Sequence, residues 1–189
     1  MKLIRIITII ATITAALFTT TASAKDAPTA SVVEPHFFSM EHVHVLINHL
    51  PVIGLAMGIL ALSLALLLRS RPAQIVALIL VLVCAAGAWP VNFTGLRAYD
   101  AMRDVVDEPG ADWLDTHFDR ATAAAPAFYA LAALAAAALL APRKWPRSAM
   151  PLAMATLALA VLCESASGWI ALAGGRIRHP EFRTGPVPS

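Results

Sequence analysis

Charged residues are scarce in this chain. Asp, Glu, Lys and Arg make up 14% of its 189 residues, whereas 59% are hydrophobic. Because soluble domains carry about 25% charged residues, this composition indicates a protein that crosses a membrane several times, with membrane lipid as a partner. The sequence also lacks a basic patch interleaved with aromatic residues, so nucleic acid is not a predicted partner.

Cysteine is rare, and several catalytic motifs are absent. Cys84 and Cys163 stand singly inside apolar stretches, where we expect them to act as small buried apolar side chains. No Cys-x-x-Cys-His motif occurs, which excludes covalently attached c-type haem. The chain has no Gly-x-Ser-x-Gly, no His-Glu-x-x-His and no phosphate-binding glycine loop, and a conventional hydrolase is therefore not predicted.

The N-terminus has the pattern of a secretory signal. Lys2 and Arg5 precede an apolar run at 6–18, and residues 22–24 read Ala-Ser-Ala, a small-residue cleavage site. The run is shorter than the roughly 20 residues that a membrane span needs. We expect residues 1–24 to be a cleavable signal peptide, with an uncleaved fifth helix as the alternative. Without Lys2 and Arg5, basic and acidic residues balance.

The rest of the chain predicts an all-α fold, an integral membrane four-helix bundle over residues 40–180. A periplasmic leader (25–39) precedes it and a periplasmic tail (181–189) follows. Helices are predicted at 40–68, 73–91, 121–141 and 149–173. Residues 96–120, with seven acids and three arginines, are predicted to form a polar connection. The turn at Pro90 is predicted to break the second helix, and Gly174-Gly175 to stop the fourth.

Charge in the connections predicts the orientation. Residues 69–72 and 142–148 together carry five Lys or Arg and no acid, whereas residues 96–120 are net negative. The positive-inside rule assigns the two basic connections to the cytoplasm. We therefore expect a multi-pass protein of the bacterial inner membrane with both mature termini on the periplasmic side.

Histidine is concentrated at the predicted periplasmic end of these helices. All six occur at or beyond that end: His36, His42, His44, His49, His117 and His179. Imidazole is a common ligand of haem iron and of transition metals. With a rise of about 1.5 Å per residue, His49 and Asn92 each lie about 30 Å above the basic connections. A cofactor site at this end of the bundle is the main functional hypothesis.

Helical geometry ranks the candidate ligands. His44 lies about 200° from His42 and about 140° from His49 around a regular helix, so these three cannot all address one centre. His49, at the edge of the apolar span, is the leading ligand. It is paired with His117 at the start of the third helix, with His179 as the substitute.

Three charged residues near the histidines have predicted roles. Arg176 and Arg178 follow the glycine pair and could bind haem propionates, since arginine binds carboxylates in a bidentate way. Glu164 is the only charge within an otherwise apolar span, and such a carboxylate normally faces the bundle interior with a partner. It could carry a proton, as the candidate catalytic residue, or orient a ligating imidazole. The alternative is a protonated Glu that is hydrogen-bonded to a neighbouring helix.

Residues 42–54, His-Val-His-Val-Leu-Ile-Asn-His-Leu-Pro-Val-Ile-Gly, resemble a set of uncharacterised bacterial four-helix membrane proteins. The shared features are a His-x-x-x-x-His-x-Pro opening, a Thr-Gly after the second helix, a His at the start of the third and a Gly-Gly-rich end to the fourth. They correspond here to His44–Pro51, Thr94-Gly95, His117 and residues 174–179. The resemblance covers about residues 40–180 and extends in outline to a broader family of unknown-function membrane domains. It implies the topology and the histidine cluster but no activity, and Asp119 departs from the Glu of some relatives.

Three functions compete on these observations. The leading hypothesis is a membrane b-type cytochrome that holds haem b near the periplasmic face and passes electrons from membrane quinol to a periplasmic acceptor. The second is a haem-free protein that binds copper or zinc through His44, His49 and His117. The third is a structural subunit of a larger membrane complex.

Overall fold

The computed structural model describes residues 39–183, and this part of the chain is helical almost throughout, with no strand. Its helices are α1 (Met40–Ile47), α2 (Leu55–Leu67), α3 (Arg71–Ala86), α4 (Ala88–Arg103), α5 (Glu108–Leu140) and α6 (Ala149–Arg178). A π-helical turn, Leu50–Gly54, joins α1 to α2. Short 3-10 turns occupy Ala141–Arg143, Pro146–Ser148 and Pro180–Phe182.

These helices form four segments that are long and apolar enough to cross a membrane. They are the first span (Met40–Leu67), the second (Arg71–Arg103), the third (Glu108–Arg143) and the fourth (Pro146–Arg178). The predicted all-α four-helix bundle is confirmed for the described residues. The predicted signal peptide (1–24), the leader up to residue 38, His36 within that leader, and tail residues 184–189 lie outside them.

Small residues allow the spans to approach each other closely. A Cβ at Gly54 would lie 2.7 Å from Cys84 Sγ, and one at Gly58 would lie 3.0 Å from a methyl of Val81. Without side chains at these two positions, the first and second spans pack at short range. Cys84 and Cys163 are buried and unbonded, as predicted for small core residues.

The predicted polar connection over 96–120 is wrong. α4 continues to Arg103 and α5 begins at Glu108, so only 104–107 connect them. Acidic residues are favourable at a helix N-terminus, and the start of α5 is amphipathic. Trp113 and Leu114 pack with Ala173 and Ile177, while the acids occupy the outer faces. The long polar segment is therefore two helix ends that extend beyond the apolar zone.

The predicted break at Pro90 is also displaced. The second span is interrupted at Gly87, and Pro90 lies in the first turn of α4. The first N–H groups of a helix have no partner within it, so the missing N–H of Pro90 breaks no helical hydrogen bond there. The second span is therefore interrupted at Gly87 and continues as helix past the proline.

Gly174-Gly175 does not end the fourth span, contrary to the prediction. α6 continues through the pair to Arg178. A Cβ at Gly174 would lie 3.1 Å from His117 Nδ1. The glycine therefore provides room for an imidazole from the third span. His117 therefore lies at one end of the bundle. This end is formed by α1, the C-terminal half of α4, the start of α5 and the end of α6, and it is hereafter called the histidine end.

Candidate functional site

A cavity of about 690 Å³ opens at the histidine end and is lined by all four spans. Its volume falls within the range of roughly 300–1,000 Å³ that is typical of cofactor and ligand sites. Most of its wall is apolar. His44 and His117 are the two histidines that line it among residues 39–183.

His44 enters the cavity wall from α1 and is held by the second span. Its Nδ1 donates to the carbonyl oxygen of Val91 at 3.0 Å and lies 3.3 Å from Thr94 Oγ1. The ring packs on Gly95, where a Cβ would lie 2.8 Å from His44 Cε1. Since α1 packs mainly on α4, the backbone of α4 fixes the orientation of this imidazole.

His117 has the same arrangement on the opposite pair of helices. Its Nδ1 donates to the carbonyl oxygen of Ile170 at 3.0 Å, and its ring packs on Gly174. A neutral imidazole that donates from Nδ1 carries its lone pair on Nε2. Neither Nε2 has a hydrogen-bond partner within residues 39–183. Two imidazoles with an available Nε2 therefore line one cavity from different spans.

The heights of the two rings agree. His44 lies about 37 Å above Arg69 and His117 about 39 Å above Arg143, at 1.5 Å per residue along straight helices. The geometry thus brings together two residues from the predicted set of ligands.

The structure does not bring His49 to the cavity. Its Nδ1 donates to Val45 O of its own helix at 2.9 Å, and the side chain is exposed. The cavity-lining residues of the first span are Glu41, His44, Val45, Asn48, Pro51 and Val52, which recur every three or four residues as one helical face does. His49 lies off this face.

His179 also lies away from the cavity. It is exposed, stacks on Phe182 with ring centroids 5.1 Å apart, and pairs through Nδ1 with Glu181 Oε1 at 2.9 Å. His42 is exposed as well, with Nδ1 3.0 Å from Ser39 Oγ. These two histidines occupy separate places on the surface and share no centre with His117.

The two arginines predicted to bind propionates have different surroundings. Arg178 lines the cavity, is exposed, and makes one long contact, Nη2 to Met102 Sδ at 3.5 Å. Arg176 is engaged elsewhere, with its guanidinium 4.4 Å from the Trp113 ring centroid and its Nε donating to Phe182 O at 3.0 Å. Of the two, Arg178 is the one available to an anionic group at the cavity.

Glu164 does not line the cavity. Its Oε2 is buried and has no hydrogen-bond partner in the described part of the chain. One turn further along, Ser167 does line the cavity and donates to Pro51 O at 3.0 Å in a buried contact. That bond ties the fourth span to the π-helical turn of the first, beneath His44.

A hydrogen-bonded network beside the cavity was not predicted from the sequence. Tyr99 lines the cavity and its hydroxyl donates to Asp115 Oδ1. Arg103 Nη1 donates to the same oxygen at 2.5 Å and to Tyr99 Oη at 2.9 Å. In the sequence, the network is indicated by the spacing of Tyr99 and Arg103, which are four residues apart. That spacing places the two side chains next to each other only if α4 extends through both residues.

The C-terminal turn is tied to the start of α5. Arg183 donates from both Nη atoms to the two Asp107 oxygens, at 2.5 and 2.9 Å, and from Nε to Arg176 O at 2.6 Å. The Arg183 side chain is only 11% exposed. Its hydrogen bonds hold the pKa of the Asp107 carboxyl below its ordinary value, since they favour the ionised form.

No group of three or more His, Cys, Asp or Glu side chains within residues 39–183 is placed to hold a metal ion. In comparisons with known proteins, no family model, no curated protein and no solved structure matches the chain.

Proposed function

We propose that this protein is a membrane electron-transfer protein that binds b-type haem between His44 and His117. The observation that carries the proposal is the pair of imidazoles from different spans in one apolar cavity. Both rings donate Nδ1–H to a main-chain carbonyl, and neither Nε2 has a hydrogen-bond partner among the described residues. Such a hydrogen bond fixes the tautomer and raises the basicity of a ligating imidazole.

The cavity has further features that suit a porphyrin. Gly95 and Gly174 let the two imidazole rings pack directly against the helix backbone, and the apolar wall suits the macrocycle. Arg178 at the cavity could bind a propionate. When bound, the haem would supply one-electron redox chemistry. His44 and His117 would both hold the iron, and two protein ligands favour electron transfer over oxygen chemistry.

His44 replaces His49 in this proposal. A ligand in the first span must reach the cavity that His117 lines, and His49 bonds to its own helix instead. The second imidazole remains His117, and His179 is not needed as a substitute. Glu164 has no assigned step, because it does not line the cavity.

The positive-inside rule supports a periplasmic position for the site. The basic connections lie at the opposite end of all four spans from His44 and His117. In the inner membrane, the haem would then exchange electrons with a periplasmic acceptor. Copper or zinc is less favoured, since a protein zinc site normally needs three or four ligands and the described cavity offers two imidazoles.

A reduced-minus-oxidised absorption spectrum of the detergent-purified protein tests the proposal. After expression in a haem-replete host, we expect a Soret band and, on dithionite reduction, an alpha band. His44→Gly and His117→Gly should each abolish the six-coordinate spectrum, and added imidazole should restore it by filling the space left by the ring. His49→Gly is the matched control and should keep the spectrum.

Two results would contradict the proposal. One is a wild-type protein that carries no haem under these conditions. The other is a spectrum that persists in both the His44→Gly and the His117→Gly variant, since the ligands would then lie elsewhere.

A further inference from the structure

We infer that the same cavity binds the headgroup of a lipid-soluble quinone at a rim formed by Trp89, Asn92, Phe93 and Tyr129, hereafter the aromatic rim. The quinone would be the electron donor of the proposed function, and this role rests on that function. Binding at the rim, however, does not itself require haem. All four residues line the cavity, and they come from the second and third spans.

The aromatic rim contains one pair of polar side chains with unused hydrogen-bonding capacity. Asn92 Nδ2 donates to Tyr129 Oη at 3.5 Å, which is long for a hydrogen bond. Among the residues that the structure describes, no other partner takes the second N–H and the amide oxygen of Asn92 or the O–H of Tyr129. A ligand with carbonyl or hydroxyl oxygens could therefore bond to both side chains.

The rim also offers an exposed aromatic surface. Trp89 and Phe93 stack with ring centroids 5.7 Å apart and an interplanar angle of 16°, and they are 62% and 39% exposed. Arg97 covers the Phe93 ring from above, 4.0 Å from its centroid. A planar ring can stack on this surface, because aromatic groups gain from offset or tilted contact beyond the area they bury.

Depth indicates that the ligand arrives from the bilayer. Trp89 lies about 27 Å above Arg71, and Tyr129 about 21 Å above Arg143, at 1.5 Å per residue. A hydrocarbon core is about 30 Å thick, so the rim lies within it or at its edge. A ligand that reaches this depth carries an apolar tail. A planar ring with oxygens and an apolar tail describes a quinone.

An ordinary acyl chain would fit the rim less well. It would cover the Trp89 and Phe93 rings but give no partner to Asn92 or Tyr129, and polar groups at this depth are costly when unpaired. The test must therefore distinguish quinone binding from occupation of the rim by lipid chains alone.

Fluorescence titration of the purified protein provides the test, with decylubiquinone as the probe. We expect saturable quenching of tryptophan emission, most of which Trp89→Phe should remove. The double variant Asn92→Leu/Tyr129→Phe should bind the probe at least tenfold more weakly, and each single variant should show part of this loss. Tyr99→Phe is the matched control, because it removes the phenolic hydroxyl of a side chain that lines the cavity outside the aromatic rim.

Decylbenzene serves as the matched ligand, since it has the ring and the chain but no oxygens. Equal affinity for decylbenzene and decylubiquinone, or unchanged decylubiquinone affinity in the double variant, would overturn the inference. The titration is repeated in the haem-free His44→Gly/His117→Gly protein, where we expect the probe to bind. Missing haem in the wild type would overturn the proposed function and leave this binding result standing.

Discussion

At the scale of single residues, two glycines decide how the imidazoles are placed. Gly95 and Gly174 lie inside helices, where glycine costs about 1 kcal/mol relative to alanine. Each is the residue against which a cavity histidine packs. The glycine pair at 174–175 has the composition of a helix stop, yet its first member provides space for His117 within a continuous helix.

Gly95→Ala should displace His44 and weaken haem binding. The new Cβ would lie 2.8 Å from His44 Cε1, closer than a real Cβ contact, so the ring or α1 must move. Overpacking of this kind costs typically 1–3 kcal/mol. We expect a severalfold lower ratio of haem to protein, measured by absorbance against protein concentration.

Gly168→Ala is the control for this substitution. A Cβ there meets nothing within 4 Å in the described part of the chain, so the haem ratio should stay unchanged. A Gly95→Ala protein that holds haem as well as Gly168→Ala would contradict the role assigned to Gly95.

At the scale of helices, the spans are longer than their apolar segments. The polar start of α5 and the polar end of α4 extend the third and second spans, and they build the histidine end together with α1 and α6. The π-helical turn at Pro51 belongs to the same architecture. Ser167 donates to the Pro51 carbonyl and so holds the first span against the fourth.

The contact between the C-terminal turn and α5 predicts a pH-dependent stability. The pKa of Asp107 is lowered by its hydrogen bonds from Arg183. A carboxyl with a lowered folded-state pKa stabilises the fold above its unfolded value of about 3.9 and loses this contribution as pH falls through the folded-state pKa. Wild-type melting temperature should therefore decrease on acidification below about pH 4.

Asp107→Asn should reduce this acid sensitivity, because the amide does not titrate. The measurement is the melting temperature in detergent from neutral pH down to pH 3, compared between the two proteins. Asp112→Asn, an exposed change in the first turns of α5, is the control and should follow the wild type. If the melting temperatures of the wild type and Asp107→Asn fall in parallel with pH, the ion pair between Asp107 and Arg183 contributes nothing to the pH dependence of stability.

At the scale of the whole molecule, the two ends of the bundle differ in their charged residues, because the acids gather at the histidine end and the two connections at the other end carry only basic residues. The basic connections lie at one end and the cavity at the other. If the positive-inside rule holds, a membrane-impermeant maleimide added to intact cells should label Asp112→Cys and fail to label Ser148→Cys.

Cys84 and Cys163 are buried, so the wild type provides an unlabelled background. Ser148→Cys should react only after the membrane is made permeable. Labelling of Ser148→Cys in intact cells, with Asp112→Cys protected, would reverse the proposed orientation and place the haem site in the cytoplasm.

The sequence by itself determined the helical class, the number of spans and the end of the bundle at which histidines gather. These follow from the lengths of apolar runs and from the spacing of basic residues, which are local properties of the chain.

Only the tertiary structure decided which histidines meet. Whether His44 or His49 faces the cavity depends on the rotation of α1 against α4, and that rotation is set by contacts with Val91, Thr94 and Gly95 from a distant part of the chain. Within α6, the space beside Gly174 is likewise filled by a ring that α5 supplies. Side-chain convergence is a property of packed helices, and no local pattern encodes the angle at which one helix presents a residue to another.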